Sequence, residues 1–135
     1  MNIAPYLDDT EYRCKHCYSL PPDFAEKPEI YTPFFEIWND IRERWGEPII
    51  INSGYRCPPY NRDVGGEACS AHCTGFALDI RPIFKDDIGK LSMMIEEYAH
   101  DLRMKVYNSW IHVDAAWLCV PRLRDNWVKG YRFRV

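Results

Sequence analysis

The chain has 135 residues, of which 47% are hydrophobic and 27% charged, with a formal net charge of −3. That is enough sequence for one globular α+β domain spanning 1–135 with a true core, and too little for two. The acidic balance excludes the broad basic face of a nucleic-acid binder, and no apolar run reaches the roughly 20 residues of a membrane span.

The first ten residues lack both a basic start and an apolar core, so no secretory signal is expected. Residues 1–13 show little periodicity and are expected to wrap the domain. Cys14 and Cys17 then form a C-x-x-C, the first of six cysteines, the others being Cys57, Cys69, Cys73 and Cys119. Three states are open to them: thiols packed as small hydrophobes, a structural zinc at Cys14 and Cys17 with two of the others, or disulfides. The missing signal argues against disulfides, which need an oxidising compartment.

Thr32 is placed to cap a helix that begins at Pro33, where the missing amide proton costs nothing. Phe34, Ile37, Trp38, Ile41 and Trp45 repeat at helical spacing up to Gly46, so this helix faces the core. Pro48 to Asn52 reads as a buried strand that leads into Ser53-Gly54-Tyr55-Arg56. Cys57-Pro58-Pro59 and Gly65-Gly66 predict an irregular loop at the mouth of a site.

The run Ser70-Ala71-His72-Cys73-Thr74-Gly75-Phe76-Ala77-Leu78-Asp79 carries the chemistry. Gly75 lets the chain bend, and Phe76 to Ile80 reads as a short buried strand with Phe76, Leu78 and Ile80 on one face and Ala77 and Asp79 on the other. A carboxylate on an inward face needs a partner, and a metal ion supplies one. Ile88, Leu91, Met94, Ile95, Tyr98 and Leu102 predict a second amphipathic helix opening near Asp86 or Asp87. Strands follow at 104–107 and 110–114, the latter with Trp110, His112 and Asp114 on one face. Asp79 and His112 can then meet across neighbouring strands. Two imidazoles and a carboxylate leave a tetrahedral ion one open position, where a water becomes a nucleophile near neutral pH. Cys69 and Cys73, bracketing His72, keep a thiolate ligand open as an alternative. Arg122, Arg124, Lys129, Arg132 and Arg134 gather near the C-terminus and read as solvated surface, with adhesion to an anionic polymer such as a cell wall as the other reading.

Asn52-Ser53-Gly54-Tyr55-Arg56, Asn61, Val64-Gly65-Gly66, the S-x-H-x-x-G-x-A-x-D run at 70–79 and His112-Val113-Asp114 together resemble the zinc D-alanyl-D-alanine carboxypeptidase family of peptidoglycan peptidases. The resemblance covers roughly residues 12–120. It implies the fold shared with the hedgehog signalling domain, a small antiparallel sheet flanked by helices. It also implies His72, Asp79 and His112 as zinc ligands, Arg56 as the receiver of a substrate carboxylate, and Ser70 as a hydroxyl beside the substrate peptide. The guanidinium fork suits the role given to Arg56.

One position departs from the family pattern. Many relatives carry an acid three residues before the last His ligand, or a His two before it, as general base, and this chain has Ser109 and Trp110 there. Asp114 is the nearest carboxylate and the first candidate for that base, the alternative being that it orients the His112 ring. Glu67 is a second candidate. The expectation is a monomeric zinc peptidase acting on peptidoglycan stem peptides, as carboxypeptidase or endopeptidase, made in the cytoplasm and reaching the cell wall by phage-type release. The competing expectation is a catalytically silent, metal-stabilised wall-binding or phage structural module.

Overall fold

A computed structural model of the chain describes residues 1–66 and 71–118. The N-terminal residues pair as a short hairpin, β1 (Asn2–Ala4) and β2 (Leu7–Asp8), running into a single turn of helix, α1 (Asp9–Tyr12). Asp8 and Glu11 close a capping box there: the Thr10 amide donates to Asp8 (3.0 Å) and the Asp8 amide to Glu11 (3.0 Å). The turn delivers Tyr12 to the interior, where it is fully buried. Residues 1–13 therefore hold more regular structure than their weak periodicity predicts.

The first long helix, α2, spans Thr32–Trp45 and ends at Gly46, whose φ of 77° is the left-handed conformation a helix stop favours. Its start differs from expectation. A 3-10 turn over Pro28–Tyr31 runs straight into it, so Thr32 is already helical and caps nothing with its side chain. Pro28 opens that turn four residues before Thr32, and Tyr31 is buried with its ring stacked on Phe76.

Four strands make the main sheet: β3 (Ile49–Ser53), β4 (Ala77–Pro82), β5 (Arg103–Val106) and β6 (Ile111–Asp114), in the order β3-β4-β6-β5 with every pair antiparallel. Between β3 and β4 the chain forms α3 (Pro58–Asp63), a correction to the irregular loop expected there. The two prolines occupy the first helical positions, where their fixed φ favours a helix and no amide is needed. Between β4 and β5 lies α4 (Ile88–Ile95), shorter than the stripe reaching Leu102 implied, because a 3-10 turn over Glu96–Tyr98 takes over its last repeats. A 3-10 turn keeps apolar residues three apart on one side, so the periodicity continues where the α-helix does not.

The expected alternation in β4 holds. Leu78 and Ile80 are fully buried, and with Ile51, Ile111 and Val113 they pack against Phe34, Phe35, Trp38 and Ile41 of α2 and Leu91 and Ile95 of α4. Helices cover one face of the sheet and the other faces a cavity. The architecture is α+β, as expected. Ser70, Glu67, Cys69, Cys119 and the basic C-terminal residues lie outside the described residues. Among the described residues no helix is long and apolar enough to cross a membrane.

Candidate metal centre

The sheet register aligns the uncovered face. Asp79 of β4 is directly opposite His112 of β6, and His112 is opposite Lys105 of β5, while Asp114 is opposite Arg103. Directly opposed residues in an antiparallel pair project to the same side, so Asp79, His112, Lys105, Arg103 and Asp114 share one face. His72 reaches this face from a 3-10 turn over Ala71–Thr74. The Thr74 hydroxyl donates to the Ala71 carbonyl (2.6 Å), and Gly75 follows with a φ of 87°. A Cβ at Gly75 would stand 2.7 Å from both Pro21 Cγ and the Tyr12 hydroxyl, so glycine is needed there for space as well as for φ.

His72 Nε2 lies 3.1 Å and His112 Nδ1 3.0 Å from the same oxygen, Asp79 Oδ1. The far nitrogen of each ring meets an atom that can only accept: His72 Nδ1 donates to the Gly54 carbonyl at 2.7 Å, and His112 Nε2 donates to Asp114 Oδ2 at 2.7 Å. In the neutral rings these bonds fix the tautomers and turn a bare lone pair on each inner nitrogen toward the carboxylate. Three acceptors facing one point require a cation between them. The spacings agree with a tetrahedral zinc ion, whose bonds of about 2.0 Å to N and O imply ligand separations of roughly 3.3 Å. The residues therefore fit a divalent ion of zinc type, and all the ligand atoms lie within 4.8 Å of one another.

The same geometry shifts the proton affinities. Burial would raise the Asp79 carboxyl, but the His112 and His72 rings close beside it hold it well below the usual carboxylate range. Burial pushes His72 down, overriding the pull of Asp79. Burial also acts to lower His112, yet its bonds to Asp114 and Asp79 raise it to about 9. In the metal-free cluster these pulls favour a proton on His112 over one on His72.

Around these residues opens a cavity of about 690 Å³ whose wall includes Asn52, Arg56, Tyr60, Arg103, Lys105 and Trp110. The Arg56 guanidinium, 13% exposed, approaches Asp79 Oδ2 to 3.9 Å and has a buried Nε with no hydrogen-bond partner among the described residues. Among the described residues, Asp79 is the sole carboxylate on the wall. Asp114 does not reach it. That carboxyl is fully buried, its Oδ2 taking hydrogen bonds from His112 and from Arg103 Nε (3.1 Å) and its Oδ1 one from the Ala116 amide (3.3 Å). Cys73 is half-buried and stands outside the cluster of His72, Asp79 and His112.

The match to a family model now adds to this geometry: residues 14–114, well over half of the chain, match the model described as peptidase M15. The chain belongs to the peptidase M15 family. Peptidases of this family are zinc-dependent, so the chain is of metallopeptidase type, consistent with the zinc D-alanyl-D-alanine carboxypeptidase resemblance. No curated protein and no solved structure gives a significant match.

Two cations on the cavity wall carry no motif that marks them in the sequence. Arg103 and Lys105 were not singled out, although Arg103-Met104-Lys105-Val106 alternates polar and apolar in step with Ile111 to Asp114. That alternation was signal enough to put both cations on the His112 face. At the other end of β5 and β6, the Tyr107 and Trp110 rings stack with centroids 4.1 Å apart.

Proposed function

We propose that this chain is a zinc peptidase that hydrolyses a peptide bond in peptidoglycan stem peptides, with His72, Asp79 and His112 as the zinc ligands. The observation that carries the reading is the convergence of His72 Nε2, Asp79 Oδ1 and His112 Nδ1 on the wall of a cavity rich in cations. When bound, zinc supplies a Lewis acid and a position at which water is readily deprotonated.

The remaining roles belong to the chain's own residues. Arg56, 13% exposed on the cavity wall, binds a substrate carboxylate through the outer nitrogens of its planar fork. Arg103 and Lys105 add positive charge along the same wall, which suits a substrate carrying more than one carboxylate, as stem peptides do. The Gly54 carbonyl holds the His72 ring and Asp114 the His112 ring, so neither imidazole turns when substrate enters. Asp114 is assigned to that holding role rather than to taking the proton of the attacking water, since it is buried with both oxygens engaged. Ser70 is assigned to contact with the substrate peptide on the family resemblance alone.

A second reading has one observation in its favour. With Asp79 the sole described carboxylate on the wall and Ser109 and Trp110 at the usual base positions, the site also suits a module that binds metal and wall peptide without cutting. The two readings part in one assay. Zinc-loaded protein is incubated with purified peptidoglycan of Gram-negative and Gram-positive types, and free D-alanine or new amino termini are followed by mass spectrometry. Release of either, lost in a His112→Ala variant, is the expected result, and free D-alanine separates the carboxypeptidase from the endopeptidase. Co-sedimentation with walls but no release would select the binding module.

A further inference from the structure

A second cluster of metal-ligating groups lies away from the cavity wall. Cys14, Cys17 and Cys57 are free thiols whose sulfurs all fall within 4.8 Å of one another. Sequence offered the C-x-x-C pair with two unspecified partners among the other cysteines, a weak signal without a second pair. The fold adds Cys57, which follows Arg56 and stands at the start of α3.

The surroundings of Cys14 are those of a bound thiolate. The residue is fully buried, and its sulfur accepts backbone amides from His16 (3.4 Å) and Cys57 (3.5 Å). The loop carrying the pair closes on itself: the Cys14 amide donates to the Ser19 carbonyl (2.9 Å) and the Tyr18 amide to the Cys14 carbonyl (3.0 Å). Closure sets Tyr18 at a φ of 60°, a left-handed conformation that non-glycine residues adopt at a cost. Packing as small hydrophobes does not account for the group, since Cys17 is exposed and Cys57 half-buried. His16 flanks it, with Nδ1 3.9 Å from Cys57 Sγ and its ring stacked flat on Tyr60 of α3 at 5.8 Å. Tetrahedral zinc with bonds of about 2.3 Å to sulfur needs sulfurs roughly 3.8 Å apart, so an inward shift of about 1 Å at most brings the three sulfurs to that spacing, and His16, outside that group of three, has to swing in from beside Cys57 to complete the set.

We infer that Cys14, Cys17 and Cys57, with His16 as fourth ligand, bind a structural zinc ion that clamps the N-terminal segment to the start of α3. With no position left for water, such a site is structural and not hydrolytic. The clamp acts on the segment that carries Arg56. The Tyr55 amide already donates to Tyr12 (2.7 Å) and the Arg56 amide to His72 (3.1 Å), and a Cβ at Gly54 would come within 2.5 Å of the Tyr12 carbonyl oxygen. The ion adds a fixed point at the next residue, Cys57.

The test does not depend on hydrolysis. Reduced, metal-free full-length chain is titrated with Co²⁺ while the near-ultraviolet absorption is followed. Thiolate ligands give an intense charge-transfer band that a site of two imidazoles and a carboxylate does not. The expected result is that band in the wild type, its loss in Cys17→Ser together with one metal equivalent, and its weakening in His16→Ala. A wild type that takes up Co²⁺ without the band overturns the inference, whatever the variants do. So does a disulfide between any two of the three cysteines in peptide maps of the purified protein.

Discussion

His112 Nε2 donates to Asp114 Oδ2 at 2.7 Å, and Arg103 Nε donates to that same oxygen at 3.1 Å. A fully buried carboxylate thus links a histidine on the cavity wall to a cation on the neighbouring strand. Anchored from behind, the ring presents Nδ1 to Asp79 in one orientation and is the more basic for it.

Asp114→Asn is therefore expected to weaken zinc binding by about 10- to 100-fold, measured by competition with a chelator of known affinity. At saturating zinc the variant should regain near wild-type turnover. Loss of rate that excess zinc does not restore would instead make Asp114 the proton acceptor.

Removing the Arg56 fork should act on substrate affinity. Hydrogen bonds to charged groups contribute about 1.5–3 kcal/mol each, so Arg56→Ala is expected to raise KM for a carboxylate-bearing stem peptide by roughly 10- to 100-fold with a smaller change in kcat. Arg56→Lys should recover only part of the loss, because an ammonium cannot form the paired contact. An unchanged KM in both variants removes Arg56 from substrate binding.

The metal-free protein should carry a pH signature of His112. Its folded value of about 9 lies above the ordinary 6.5, so between those values the folded chain binds more protons than the unfolded one and this contribution falls as pH rises. It is fully present below pH 6.5 and gone above pH 9. Cys14, lowered to about 7 chiefly by backbone hydrogen bonds that outweigh its burial, runs the opposite way, and subtraction cancels it. The stability difference between metal-free wild type and His112→Asn, from urea unfolding, should thus be largest below pH 6.5 and shrink toward pH 9. A flat difference contradicts the proton held between Asp79 and Asp114.

Gly75→Ala should destabilise the chain by about 2 kcal/mol or more in chemical denaturation. A left-handed φ costs a non-glycine residue roughly 1–2 kcal/mol, and here the new methyl also meets Pro21, Tyr12 and Tyr31. Gly46→Ala shares the left-handed φ but meets nothing within 4 Å, so it should cost less. Equal losses would mean that the crowding at Gly75 relaxes freely.

The sequence by itself determined the elements that rest on local periodicity and which strand residues face away from the core. Alternation in Phe76 to Ile80 and Trp110 to Asp114 assigned Asp79 and His112 to the face opposite the core, because side chains along a strand alternate strictly. The helical stripe from Phe34 to Trp45 assigned α2 to the core for the equivalent reason at period 3.6. Only the tertiary structure decided what depends on parts of the chain meeting at a distance. It buried Asp114 behind His112, brought Arg103 and Lys105 onto the cavity wall, and carried Cys57 to Cys14 and Cys17 across some forty residues of sequence. It also ended α4 at Ile95. A local pattern states which side of an element is apolar; which partner that side meets, and which polar atoms are left facing one another, is set by how the elements pack.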